Sequence, residues 1–119
     1  MKSLTTYITE KMVYTKSTAS KYNYYPKTKE ELKDIIDKLI DEQSMEDVID
    51  LNSIDTSEIT DMSGLFYNFE GILKIDVSKW DVSNVKTMDY MFKGCINIEK
   101  IAGIEDWNVS NVTDMSYMF

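Results

Sequence analysis

The side chains able to do chemistry in this 119-residue chain are its carboxylates, a single thiol, and a short run of tyrosines and lysines. Asp76 and Asp81 are close enough in sequence to act as an acid–base pair. Both open an Asp-x-Ser corner, however, where a carboxylate that bonds to the backbone two residues on has a simpler task. Such corners also attract calcium, but no D-x-D-x-D-G loop is present. The chain has no histidine, so the commonest general base and zinc ligand is missing. Cys95 alone builds neither a metal site nor a Cys–His pair. The four glycines are not spaced as a phosphate loop. These features predict a non-enzymatic protein without cofactor or metal.

The formal charge of -8 is concentrated. Residues 1–27 carry five lysines and one glutamate, residues 28–61 twelve acids and three lysines, and residues 62–119 eight acids and five lysines. Such a surface repels nucleic acid and attracts basic protein. The carboxylates singled out for partner binding are Asp34, Asp37, Asp41, Glu42, Glu46 and Asp47. The plainer reading of the same charge is solubility. The run K-Y-N-Y-Y-P-K (residues 21–27) has the make-up of a base-stacking patch, or of an extended connector with packed rings and solvated lysines. Lacking arginine and lying beside the acidic block, it is expected to be the connector, with no direct nucleic-acid binding.

These residues must be positioned by local elements. Leu4, Tyr7, Ile8 and Met12 are at helical spacing behind Ser3 as N-cap. After Pro26, Thr28 and Glu31 form a T-x-x-E capping box. Leu32, Ile35, Ile36, Leu39 and Ile40 then fall on one face, which predicts a helix over residues 29–42 with its acids outward. Residues 1–47 should form a helical cap on the domain that follows.

From Val48 onward the chain repeats. W-D-V-S-N-V-K-T-M-D-Y-M-F (80–92) recurs as W-N-V-S-N-V-T-D-M-S-Y-M-F (107–119), with a looser copy I-D-T-S-E-I-T-D-M-S-G-L-F (54–66). The serines at 57, 83 and 110 set a period of 26 and then 27 residues, the mark of units that bury their apolar faces on one another. Ser57, Ser83 and Ser110 should be N-caps. Apolar residues at +2, +5 and +9 from each serine predict a short helix per unit. Gly71 and Gly94 should supply positive φ at the exits. Val48–Leu51, then Leu73, Ile75 and Val77, then an irregular counterpart at Ile96, Ile98 and Ile101, predict parallel strands in a right-handed α/β coil. Trp80 and Trp107 should pack at corners, and Cys95 in the core.

The copies resemble the BspA-like leucine-rich repeat family over residues 48–119, and the N-terminal stretch resembles the leader of compact versions in bacteriophages and other mobile elements. The resemblance implies a short leucine-rich-repeat-like solenoid without enzymatic activity. Charged residues throughout the first twenty positions, no long apolar run and one cysteine predict an intracellular, cytoplasmic protein in a bacterial host. The expected function is binding of a basic, nucleic-acid-handling protein, most concretely as a phage-encoded anti-CRISPR or anti-defence inhibitor. The rival expectation is a structural, adhesive or self-assembling repeat module, including a truncated part of a longer repeat array. No capping segment follows the third copy, so this rival includes homo-oligomers formed through that repeat.

Overall fold

The structure, a computed structural model, describes residues 22–71 and 73–119. The helix expected over residues 3–12 and the start of the tyrosine–lysine run, through Lys21, lie outside those residues. Helix α1 spans Lys29–Glu42, with Thr28 as an extended N-cap. Thr28 Oγ1 accepts a bond from Glu31 N at 3.1 Å. The return bond of the capping box is displaced by one residue: Glu31 Oε2 accepts from Lys27 N, also at 3.1 Å. Leu32, Ile36 and Leu39 are buried, and Ile35 and Ile40 pack at the margin of the same cluster.

Three short strands follow, β1 (Ile49–Asp50), β2 (Leu73–Asp76) and β3 (Ile98–Ala102), in one parallel sheet of that order. Ile49 pairs with Ile75 and Ile75 with Ile101, so equivalent residues of successive units lie side by side. In β2, Leu73 and Ile75 point into the core while Lys74 and Asp76 are half-exposed, the alternation a strand covered on one face requires. A register shift at Leu73/Lys74 makes β3 the irregular member. Helix α1 packs on β1. Gln43 closes the outer edge of β1: its amide donates to Asp50 O at 2.9 Å and accepts from Asp50 N at 2.8 Å. The run at Tyr22–Lys27 is extended at its start, where Tyr24 forms a parallel bridge with Ile54 and its carbonyl accepts from Asp55 N at 2.8 Å.

The short helices expected after Ser57, Ser83 and Ser110 do not form; these segments are series of turns. Their donors are spent between units instead. Met62 N, Gly64 N, Phe66 N and Asn68 N donate to the carbonyls of Thr87, Asp89, Met91 and Lys93 at 2.8–2.9 Å. Met88 N, Tyr90 N and Phe92 N repeat the pattern with Asp114, Ser116 and Met118 at 2.7–3.1 Å. Within each unit, tight turns link Met62 to Leu65, Met88 to Met91 and Met115 to Met118 through i to i+3 bonds. The third residue of each turn is left-handed: Gly64 (φ 64°), Tyr90 (φ 59°) and Tyr117 (φ 54°). A left-handed residue every unit interrupts a helix before it can nucleate.

The serines are correspondingly not helix caps. Ser57 N, Ser83 N and Ser110 N each donate to the side chain two residues back, Asp55, Asp81 and Asn108, at 2.9–3.1 Å. Asp61, Asp76 and Asp114 close the same Asx turn on Ser63, Ser78 and Ser116. Gly94 has the expected positive φ (80°), but Gly71 does not; in the first unit that place, eleven residues after the serine, is filled by Asn68 (φ 57°). Asn tolerates this region because its short polar side chain bonds locally.

The core is continuous from α1 through both complete units: Leu32 and Ile36 join one buried cluster with Leu51, Ile59, Met62, Ile75, Val85, Met88 and Phe92. Aromatic residues stack unit on unit within it. Phe66 lies 5.2 Å from Phe92, and Trp80 lies 6.0 Å from Trp107, each pair nearly parallel. Both tryptophans sit at corners as expected, with Trp80 Nε1 donating to Leu51 O at 2.8 Å and Trp107 Nε1 to Val77 O at 3.3 Å. Cys95 is buried, donates to Phe66 O, and burial pushes its thiol pKa up.

Two predictions follow from these turns. Gly103 has φ 94°, and a Cβ there would run into the Ser78 backbone. Gly103→Ala should therefore cost about 2 kcal/mol or more, read as a lower urea midpoint with an unchanged slope. The second concerns acid. Hydrogen bonds from Asn52 and Ser78 lower the Asp76 pKa, and those from Ser83 and Ser116 lower Asp81 and Asp114. For Asp61, burial pulls upward, but bonds from Ser63 and Thr87 and the charge of Lys29 outweigh it, and the net shift is downward. A depressed folded pKa contributes stability above the unfolded value and loses it as pH falls through the folded one. The unfolding midpoint should thus fall as pH drops below about 4. Asp81→Asn, which reproduces the turn Asn108 already makes, should flatten that acid limb in a pH series of urea melts.

Candidate functional site

All six carboxylates singled out in the sequence are exposed. They do not form one patch. Asp34, Asp37 and Asp41 lie at i, i+3 and i+7, a single stripe along the outer face of α1. Glu42 ends the helix, while Glu46 and Asp47 lie beyond it and line a shallow depression with Lys74 and Phe69 beside the sheet.

The chain's own lysines answer half of this charge. Lys33 Nζ binds Asp37 at 2.7 Å, Lys38 Nζ lies 3.3 Å from Glu42, and Lys74 Nζ lies 3.0 Å from Asp47 and 3.7 Å from Glu99. The hydrogen bond to Tyr24 Oη at 2.8 Å, followed by that to Glu42, raises the Lys38 pKa. Asp47, then Glu99, does the same for Lys74. Asp34, Asp41 and Glu46 have no ion-pair partner among the described residues. No lysine stands in the last turn of α1, where it would meet the negative end of the helix dipole. The free negative charge therefore runs along the helix towards its C-terminus.

A second surface feature lies beside Asp34, and the sequence reading missed it. A groove of about 580 Å³ separates α1 from the turns of the first two units, lined by Glu30, Asp34, Gly64, Tyr67, Asp89 and Tyr90 among others. Tyr67 and Tyr90 are half-exposed and meet edge to face at 6.1 Å, and Tyr90 stacks on Tyr117 at 5.3 Å. Lys93 Nζ sits over Tyr117 and Tyr90, 4.7 and 5.7 Å from the ring centres. The signal was present in the alignment of the copies, because Gly64, Tyr90 and Tyr117 all fall seven residues after the serine. It lies off the apolar stripe at +2, +5 and +9 that carries the periodicity.

Other candidate groups have structural roles. Asp76 and Asp81 are held in Asx turns, as the corner reading expects. Lys27 Nζ lies 3.4 Å from Glu58. Among the described residues no helix is long and apolar enough to cross a membrane.

Comparison with known proteins adds the family. The model of the family described as "Mycoplasma protein of unknown function, DUF285" matches residues 34–119, from the middle of α1 to the end of the third copy. No curated protein and no solved structure matches the chain. With the match covering well over half its length and spanning all three copies, the chain belongs to the DUF285 family, which is related to BspA-like repeats.

Proposed function

We propose that this protein is a non-enzymatic binding module that presses an acidic face against a basic protein partner. In this reading the units form a short right-handed leucine-rich-repeat-like solenoid and α1 is its N-terminal cap, so the acids stand on a rigid support. The observation that carries it is the exposed stripe on α1, where Asp34 and Asp41 lack an ion-pair partner among the described residues. Unanswered charge on a rigid element steers encounter and sets register against an opposite surface. In its most concrete form the partner is a nucleic-acid-handling protein of the bacterial cytoplasm, and the module acts as a phage-encoded anti-CRISPR or anti-defence inhibitor. Its carboxylates would take the places of phosphates in a lysine- and arginine-lined channel.

The test is competition with labelled DNA for a guide-loaded CRISPR nuclease, followed by fluorescence anisotropy. Inhibition should weaken at least about tenfold between roughly 50 and 500 mM salt. Reversing Asp34, Asp37, Asp41, Glu42, Glu46 and Asp47 to lysine should abolish it without lowering the thermal midpoint by more than a few degrees. Competition unchanged by the reversal would exclude the acidic face.

A further inference from the structure

We propose that the groove beside Gly64 receives an arginine side chain of the partner, its guanidinium laid on Tyr90 and its charge met by Glu30, Asp34 and Asp89. The inference rests on the basic-partner reading and gives that partner an anchor residue and a place.

The groove exists because the tyrosine stack stops one unit short. Tyr90 and Tyr117 occupy the same left-handed position of successive units, and their rings stack at 5.3 Å with an interplanar angle of 22°. A bulky side chain at positive φ is strained where glycine is not. Glycine fills this place in the first unit, at φ 64°. A Cβ on Gly64 would meet only Tyr67 Cβ, at an ordinary 3.8 Å. The space where a third ring would continue the stack is therefore open, and the groove occupies it.

The chemistry of the walls selects the occupant. Tyr67 and Tyr90 offer exposed π-surface, and Lys93 over Tyr90 and Tyr117 shows one of these rings, Tyr90, already beside a cation. Glu30, Asp34 and Asp89 have side chains without ion-pair partners among the described residues, and they add negative charge to the same groove. Lys29 and Lys33 line the groove as well, but both are engaged: Lys29 Nζ with Ser63 Oγ at 3.1 Å and Asp61 at 3.6 Å, and Lys33 with Asp37 at 2.7 Å. A neutral ring would leave the carboxylates unanswered, and an ammonium lacks a flat face to stack. Guanidinium satisfies both, because it is planar, permanently charged and forked to suit a carboxylate.

The experiment titrates the full chain with blocked Gly-Arg-Gly, Gly-Lys-Gly and Gly-Phe-Gly tripeptides and follows the tyrosine ring resonances. The arginine peptide should shift Tyr90 and Tyr67 with a Kd on the order of millimolar, and the lysine peptide should bind at least about threefold more weakly. Gly64→Tyr should abolish the shift. It keeps its fold, since Tyr90 and Tyr117 hold the same φ, and a single cooperative melt with a midpoint lowered by no more than about 4–8 °C verifies this. Gly64→Ala, which leaves most of the groove open, should retain binding. Undiminished binding to Gly64→Tyr, tighter binding of the phenylalanine peptide, or no response of Tyr90 to the arginine peptide each overturns the groove. None of those results touches the acidic face, which its own charge reversal tests. Conversely, arginine binding that Gly64→Tyr removes and Gly64→Ala keeps upholds the groove even where the charge-reversed chain still competes for the nuclease.

Discussion

The structure depends on one constraint: backbone donors on alternate residues of each unit must find carbonyls in the next. Met62, Gly64, Phe66 and Asn68 are served by Thr87, Asp89, Met91 and Lys93. Each such bond contributes only about 1 kcal/mol net, but a buried amide left without one costs more. This forces successive units into register and explains why sequence-equivalent residues end up touching. The Phe66–Phe92 and Trp80–Trp107 stacks are consequences of that register rather than its cause. The buried Thr56 shows the same economy, its hydroxyl both donating to Asp81 O and accepting from Asp81 N at 2.9 Å.

The corners make the ladder possible. Asp55, Asp61, Asp76, Asp81, Asn108 and Asp114 each take up an amide two residues on, relieving donors that the turns would otherwise leave without partners. Asparagines then tie one corner to the next. Asn84 donates to Ser57 O at 2.7 Å and Asn111 to Ser83 O at 2.6 Å. Much of the acidity of the repeats is thus committed to geometry, whereas Asp34 and Asp41 on α1 are not tied to a turn or an ion pair among the described residues.

Helix α1 was legible to the residue, because a capping box and an i, i+3, i+4 stripe report the same local event. The strands were legible because Leu73, Ile75 and Val77 alternate, although β1 is shorter than its hydrophobic run. The repeat helices were misread for a physical reason. Overlapping turns closed by i to i+3 bonds bring Ile59, Met62 and Phe66 to one side much as a helix would, and periodicity alone does not tell the two apart. What separates them is the left-handed residue, and here it is a tyrosine in two units out of three, a type that gives no warning of positive φ. Of the candidate site, the exposure of the six acids was readable. Their division into a helix stripe and a detached pair was not, since it depends on how the chain turns after Glu42.

The register shift at Leu73/Lys74 has a consequence for how such a chain can change length. It sits outside the ladder of turns, and the other irregular stretch, the 3₁₀ turn Ile104–Asp106, also precedes a motif copy rather than interrupting one. An insertion at the 3₁₀ turn leaves every rung of the ladder paired, whereas one at Leu73/Lys74 would turn the buried Ile75 out of the core. A graft or a spliced-in loop therefore suits the 3₁₀ turn better than the strand or the ladder.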